Sequence, residues 1–490
     1  MSLDFVAVKG KLGDQKAECI VASAMEAKLS PEAQHLDRVL NGEISSSIKR
    51  KEFEGKAGTI MGVRTLGRLA ARKILVVGLG PAKEYDQFVS RNAAALAFQS
   101  VKNDCESIAF KVSLGDLAYS VESIIVSSYD YQEWKTQEKK PLKAKRAVFV
   151  FDSESEVRKA REIIAFAKTV GEGQNYSREL DNVHAGLATP AYIAGHAKKI
   201  AGGKVKVTVW GMKELEKKGY GGVIGVGKGS VNEPKFVVME YNGGRKGEKP
   251  YAIVGKGVCF DSGGISIKPS RGMGLMRYDK SGACTVIATI RTLKQLNLPV
   301  NVVAVAPLVE NLPSGSAYKP GDVIKTGSGK TIEVTNTDAE GRVILSDGLY
   351  HANLFKPKGI IDLATLTGAC VVALGTHCSG LMTNNDALAA KVKKAAQASG
   401  ERVWELPMWK EYEELVKSDV ADVKNADESP DAGATEGGWF LREFVGETPW
   451  VHLDTAGTAW VEKPTIPIRT GATGWGVRLL IEFFKSEAGH

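Results

Sequence analysis

Between Asn336 and Arg342 the chain reads Asn-Thr-Asp-Ala-Glu-Gly-Arg, so two carboxylates and a guanidinium alternate with small residues. In extended backbone, residues two apart share a face. Asp338, Glu340 and Arg342 would then converge on one point. Such a trio packs poorly in a core, but it suits a site where carboxylates hold a metal and a cation holds an anion nearby. The same residues are good turn and helix-start formers, and a solvated turn is the competing reading.

A second cluster lies upstream. Lys256 stands between Gly255 and Gly257, Asp261 precedes Ser262-Gly263-Gly264, and Lys268 precedes Pro269. Glycines allow close approach of the backbone to a ligand, or positive φ. Asp279 stands just ahead of a helical pattern that starts near Gly282, and it serves equally as a helix N-cap or as a metal ligand. Together, Asp261, Asp279, Asp338 and Glu340 with Lys256, Lys268 and Arg342 fall in short stretches near element ends. By itself Lys256 reads as a salt-bridge partner. Oxygen-rich donors suit hard or borderline divalent ions, and four carboxylates roughly neutralise two of them. Two such ions can share a water, lower its pKa and polarise the bond it attacks, which is hydrolytic chemistry.

The elements that must position these residues are α/β in both halves. Phe5–Val8, Cys19–Ala22, Lys73–Val77 and Ala147–Phe151 read as strands, and Arg91–Val101 as a helix. Ser153 and Glu156 form a capping box ahead of Val157, Ala160, Ile163, Ile164, Ala167 and Val170 at helical spacing. That helix bridges to a second domain, so the chain divides into 1–160, a smaller N-terminal α/β domain, and 161–490, a catalytic α/β domain with a mixed sheet flanked by helices. Tyr251–Val254, Val300–Leu308 and Ile360–Leu363 have the continuous character of strands buried on both faces by helices. Val286, Ile287, Ile290 and Leu293 mark one helix there, and Ile344, Leu345, Leu349 and Ala352 another. In open α/β sheets, ligands sit at the carboxyl ends of strands.

At 490 residues, 43% hydrophobic and 25% charged, the chain has the composition of a multi-domain globular protein. Its 65 basic and 57 acidic residues leave +8, too mild an excess to indicate nucleic acid. No basic n-region with an apolar core opens the chain, and the most apolar run, 359–375, is broken by glycines and by Asp362. The six cysteines include no C-x-x-C pair and read as reduced thiols, which places the protein in the cytoplasm. Gly78-Leu79-Gly80 follows a strand but lacks the third glycine of a nucleotide loop. The basic stretch from Lys135 to Arg146 reads as an exposed loop.

With Val254–Gly257, Phe260–Gly264, Asn336–Arg342 and the C-terminal Gly471-Ala472-Thr473-Gly474-Trp475-Gly476-Val477-Arg478, the chain strongly resembles the leucine aminopeptidase, or cytosol aminopeptidase, family. Trp450–Asp454 and Ala456-Gly457 extend the match; over the first 150 residues it rests on domain order and Val77–Gly80. The resemblance implies a two-metal aminopeptidase that trims leucine and other apolar N-terminal residues from peptides. Lys256, Asp261, Asp279 and Glu340 would hold the tighter ion, and Asp261, Asp338 and Glu340 the more exchangeable one. Manganese or zinc are the expected ions, with magnesium or cobalt as substitutes. Lys268 would steady the oxyanion, and Arg342 would hold a bicarbonate that serves as general base. Met276, Asn336, Ala339, Thr365, Leu366, Gly368 and Ala456 would line the substrate site, and the protein would form a homohexamer.

Some residues depart from the family's pattern. Lys280-Ser281-Gly282 follows Asp279 where methionine and small residues are common, and Lys280 would point to solvent or weaken the metal site. Asn182-Val183-His184 replaces Asn-x-Pro, and Glu436 lies in a stretch usually more apolar; both predict altered packing or subunit contacts at most. The rival readings are another two-metal hydrolase, such as a phosphoesterase, and a nucleic-acid-binding role for the basic stretch, which lacks the aromatic interleaving of such surfaces.

Overall fold

The computed structural model describes residues 3–26, 28–137, 141–427, 429 and 431–489. The chain forms two compact units, one of residues 1–175 with 463–470 and the other of residues 176–462 with 471–490. The helix begun by the Ser153–Glu156 box runs Glu154–Asn182, and residue 160 lies inside it. The box forms as read: Glu156 Oε2 accepts from the Ser153 amide at 3.0 Å, and Ser153 Oγ accepts from the Glu156 amide at 3.2 Å.

In the first unit a sheet runs in the order Asp4–Lys9, Arg146–Phe151, Ser107–Phe110, Cys19–Met25, Lys73–Gly78, Ile60–Arg64. Neighbours are parallel except at Ile60–Arg64, which pairs antiparallel with Lys73–Gly78. The inner strands Cys19–Met25 and Lys73–Gly78 are covered on both faces. Val21, Leu75 and Val77 join one buried cluster while Ile20, Ala22, Ile74 and Val76 join another. The Gly78, Leu79 and Gly80 amides donate to Thr59, Ala24 and Gly55 carbonyls, so this turn turns no amides toward a phosphate. At the end of the basic stretch, Lys145 pairs with Glu106 at 3.0 Å and Arg146 with Asp4 at 3.2 Å, while residues 138–140 lie outside the described residues.

The second unit is built on a larger mixed sheet. Its order is Val403–Glu405, Ser379–Thr383, Trp450–Asp454, Ile360–Ala364, Tyr251–Gly255, Asn301–Asn311, Lys235–Asn242, Val205–Trp210, with Gly257–Asp261 beside Asn301–Asn311. The four central strands, from Trp450–Asp454 to Asn301–Asn311, are mutually parallel. Val254, Val303 and Val305 pack with Val343, Ile344 and Leu349 of the helix Glu340–Asn353. The helix Ser281–Leu296 packs on the same strands, and none of its residues enters that cluster. No described helix is long and apolar enough to cross a membrane.

Candidate metal centre

The parallel strands deliver polar residues to one edge of the sheet. Lys256 follows Tyr251–Gly255, Asp261 closes Gly257–Asp261, Asn311 closes Asn301–Asn311, Thr365 follows Ile360–Ala364, and Asp454 closes Trp450–Asp454. This is the carboxyl-end edge at which open α/β sheets bind ligands. Asp279 ends the 3-10 turn Gly274–Tyr278, and Glu340 opens the helix Glu340–Asn353.

One carboxylate oxygen each of Asp261, Asp338 and Glu340 lies within 4.8 Å of the others, close enough that the three could hold one ion. The Lys256 ammonium donates to Asp279 Oδ1 and to the Thr365 carbonyl, each at 2.7 Å, and faces Glu340 Oε1 at 3.0 Å. Lys268 Nζ meets Asp261 Oδ2 at 2.8 Å and pairs with Asp338 Oδ1. Asp261 Oδ1 accepts from the Gly263 amide at 2.9 Å and from Asn311 Nδ2 at 2.8 Å. Thr365 Oγ1 donates to Asp279 Oδ1 at 2.6 Å. Two glycines make the assembly possible. A Cβ on Gly341 would lie 2.5 Å from Lys256 Cε, so only glycine lets the lysine lie against the helix start. Gly263 has φ +86° and its Cβ would lie 2.4 Å from the Ser266 carbonyl.

The charges do not balance within the cluster. Four carboxylates face two ammonium groups, a formal excess of two negative charges when all are ionised. Burial, the strongest effect, pushes Asp279, Asp338 and Glu340 up, Asp338 to about 7. Neighbouring carboxylates push the same way, and Lys256 and Lys268 oppose them. Burial would lower the lysines, but the carboxylates around them together outweigh it and hold both ammonium groups above their usual range. Glu340 is 1% exposed, and while its Oε1 pairs with the Lys256 ammonium, its Oε2 has no partner; Asp279 Oδ2 is buried without a hydrogen bond too. Orphaned buried carboxylate oxygens beside an excess of negative charge fit divalent cations, and the all-oxygen donor set with one lysine suits hard or borderline ions.

Arg342 is placed otherwise than extended backbone implies. The helix begins at Glu340, so Arg342 lies about 200° round its axis from Glu340 rather than on the same face. Its Nη1 donates to the Asn425 carbonyl and to Glu436 Oε1, both at 2.7 Å. Glu436, expected to matter for packing or subunit contacts at most, is therefore a buried partner of a proposed site residue. Lys280 departs from expectation as well. Rather than reaching solvent it is 0% exposed, and it donates to the carbonyls of Asp181 at 3.0 Å, Val183 at 3.3 Å and Arg277. Its charge lies 3.9 Å from Asp181 Oδ1.

Of the expected substrate residues, Asn336 and Gly368 are exposed, Met276, Ala339, Leu366 and Ala456 half-buried, and Thr365 buried. Leu366 also packs on the buried cluster beneath the sheet edge, so part of its surface is core. Asp454 fixes the loop carrying these residues: its oxygens accept from the Leu366 amide at 3.2 Å, Ala456 amide at 3.1 Å and Thr367 Oγ1 at 2.6 Å. Asp454, Asn311, Asn425 and Glu436 were not singled out as site residues from the sequence. Asn311 was findable as one of the polar pair, Glu310-Asn311, that ends an apolar strand; Asn425 and Glu436 reach Arg342 from 83 and 94 residues away, which no local pattern signals.

The model of the cytosol aminopeptidase family catalytic domain matches residues 175–481, and that of the family's N-terminal domain residues 20–138. A "Probable cytosol aminopeptidase" of Geobacter sulfurreducens is 41% identical over 462 residues, 92% of each chain. Another from Geobacter sp. strain M21 is 42% identical over 95% of this chain and 96% of that one. Among solved structures, a mutant of tomato leucine aminopeptidase is 31% identical with a TM-score of 0.88, covering 99% of this chain and 96% of its own. The bottromycin maturation enzyme BotP in complex with Mn is 30% identical with a TM-score of 0.84, over 96% of this chain and all of its own. A peptide-hydrolysing enzyme by these matches, the chain belongs to the cytosol aminopeptidase family.

Proposed function

We propose that this protein is a two-metal aminopeptidase that removes N-terminal residues from peptides, with preference for leucine and other apolar residues. The observation that carries the reading is the set of buried carboxylate oxygens without hydrogen bonds on Glu340 and Asp279, in a cluster with excess negative charge. Lys256, Asp261, Asp279 and Glu340 hold the tighter ion; Asp261, Asp338 and Glu340 hold the exchangeable one. Manganese or zinc head the candidates, before magnesium or cobalt, and the manganese complex of BotP supports manganese. When bound, such ions lower the pKa of a water and polarise the scissile carbonyl.

The chain's own residues supply the rest. As a ligand Lys256 would bind as a neutral amine, its proton passing to solvent, a form that a neighbouring dication favours. Asn311 and the Gly263 amide hold Asp261 in one orientation, and Thr365 holds Asp279. Lys268, kept protonated by Asp261 and its neighbours, steadies the negative charge that develops on the peptide carbonyl oxygen. Met276, Asn336, Ala339, Thr365, Leu366, Gly368 and Ala456 line the substrate site. A free α-amine seated against the carboxylates restricts cleavage to the first residue. Homohexameric assembly and a cytoplasmic location belong to the same reading.

The test is hydrolysis of leucine p-nitroanilide, of a Leu-initiated peptide and of its N-acetylated form by metal-stripped protein with manganese or zinc returned. Metal-dependent release of leucine from the free peptide alone is expected. Equal cleavage of the acetylated peptide, or no dependence on metal, would overturn the proposal.

A further inference from the structure

We propose that Arg342 carries its anion within the chain: the Glu436 carboxylate takes the place on the guanidinium that the resemblance gives to bicarbonate, and it acts as a positioning residue. The reaction it serves rests on the aminopeptidase reading above; the geometry of the pair does not.

Glu436 is seated on Arg342 by more than the ion pair. Its Oε1, 2.7 Å from Arg342 Nη1, also accepts from the Asp427 amide at 3.0 Å. Both side chains are buried, 6% exposed at Arg342 and 5% at Glu436. Glu436 lies in the first turn of the helix Gly433–Arg442, where the helix dipole favours a negative charge. That helix also packs on the substrate loop: a Cβ on Gly437 would lie 3.0 Å from Leu366 Cδ2, 3.2 Å from Thr367 Cγ2 and 3.4 Å from Arg342 Nη2.

The grip continues through Arg342 to the metal carboxylates. Nη1 also donates to the Asn425 carbonyl. The Asn425 side chain clamps the segment that carries Asp338, accepting from the Thr335 amide at 2.8 Å and donating to the Asn336 carbonyl at 2.6 Å. Asn336 Oδ1 in turn accepts from the Asp338 amide at 2.8 Å. Glu436, Arg342, Asn425 and Asn336 thus form one strut ending at Asp338. Bicarbonate fits poorly into it. A buried guanidinium that already holds a carboxylate would set a second anion against the first, and both would be out of water. Removing the carboxylate reverses this: it leaves a buried cation unpaired and a space of carboxylate size beside it.

The experiment compares the full-length wild type with Glu436→Ala and Glu436→Gln in carbonate-free buffer. Binding of 13C-bicarbonate and of formate is followed by NMR and calorimetry, and leucine p-nitroanilide hydrolysis is measured with manganese present. The wild type should bind neither anion saturably, and bicarbonate should change its rate less than about twofold. E436A should lose about 10- to 100-fold in rate, bind formate or bicarbonate saturably, and regain most of the loss with either. E436Q keeps the shape and fills the space, so it should lose rate without rescue. Saturable bicarbonate binding by the wild type, or a severalfold stimulation of its rate, would overturn the proposal. If the wild type cleaves no peptide, the aminopeptidase reading fails, and the anion-binding arm still decides on Glu436. If E436A does not fold, the wild type and E436Q decide.

Discussion

Replacing Gly341 by alanine tests whether Lys256 is a working part of the centre. The added methyl would sit 2.5 Å from Lys256 Cε, 2.7 Å from Nζ and 2.8 Å from Cδ. Carbon atoms in favourable contact are about 3.5–4.0 Å apart, so the lysine must give way by about an ångström. It has nowhere to go without loss: its ammonium is fixed by Asp279 and the Thr365 carbonyl at 2.7 Å and by Glu340 at 3.0 Å. Overpacking costs about 1–3 kcal/mol, but alanine in a helix gains up to about 1 kcal/mol over glycine. The net change in folding stability is therefore small, and melting is a poor readout. Metal affinity is the sensitive one. Losing one bond to a charged group costs about 1.5–3 kcal/mol, which weakens the tighter ion's binding about 10- to 100-fold. Calorimetric titration of manganese into the metal-stripped G341A and wild-type proteins, with circular dichroism to establish folding, reads this directly. A folded G341A that binds manganese as the wild type does would refute the placement of Lys256 in the site.

Lys268→Ala should keep metal stoichiometry and KM within a few-fold while kcat falls about 100- to 1,000-fold, measured on leucine p-nitroanilide. Lys280→Met strips the cation from its carbonyl cage and leaves the buried Asp181 carboxylate without that charge, held by the Ser281 hydroxyl; it should cost about 3–5 kcal/mol in denaturant unfolding with manganese affinity changed less than about tenfold, since the cage carbonyls, of Asp181, Val183 and Arg277, belong to no proposed ligand. Asp347 is pushed up to about 7, chiefly by burial and against amides of Gly327, Val223 and Gly222. The folded state therefore binds a proton that the unfolded chain has released, so this group makes stability fall as pH rises from about 4 to about 7. Asp347→Asn removes that dependence, and its melting temperature relative to wild type should rise with pH across this window.

The membership of the sheet-edge cluster was legible in the sequence because its residues come in short, dense runs: Lys256 to Lys268 and Asn336 to Arg342 each carry several ionisable groups among glycines. Their geometry was less so. Reading Asn336–Arg342 as extended put Arg342 beside Asp338 and Glu340. The helix starting at Glu340 turns the guanidinium instead to Glu436, although Thr337 and Asp338 carry helix-start character. The central parallel strands announced themselves through apolar runs such as Tyr251–Val254 and Ile360–Leu363, which two layers of helices cover. The antiparallel neighbours Lys235–Asn242 and Ser379–Thr383 did not, because strand direction leaves no trace in periodicity. Nor does a local pattern show that 463–470 belongs with the first compact unit. Lys280 was misjudged for a similar reason: the carbonyls of Asp181 and Val183 that bury it come from a helix end about 100 residues upstream.

The central claim is that the sheet-edge carboxylates hold two divalent ions on which peptide hydrolysis depends. Its most direct test is the number of manganese ions bound per chain by metal-stripped wild type and Asp338→Ala, measured by calorimetry together with leucine release from a Leu-initiated peptide. Two ions for the wild type, one for D338A, and activity that appears only with the second ion is the predicted result. A wild type that binds fewer than two, or a D338A protein that binds two and cleaves as the wild type does, would contradict it.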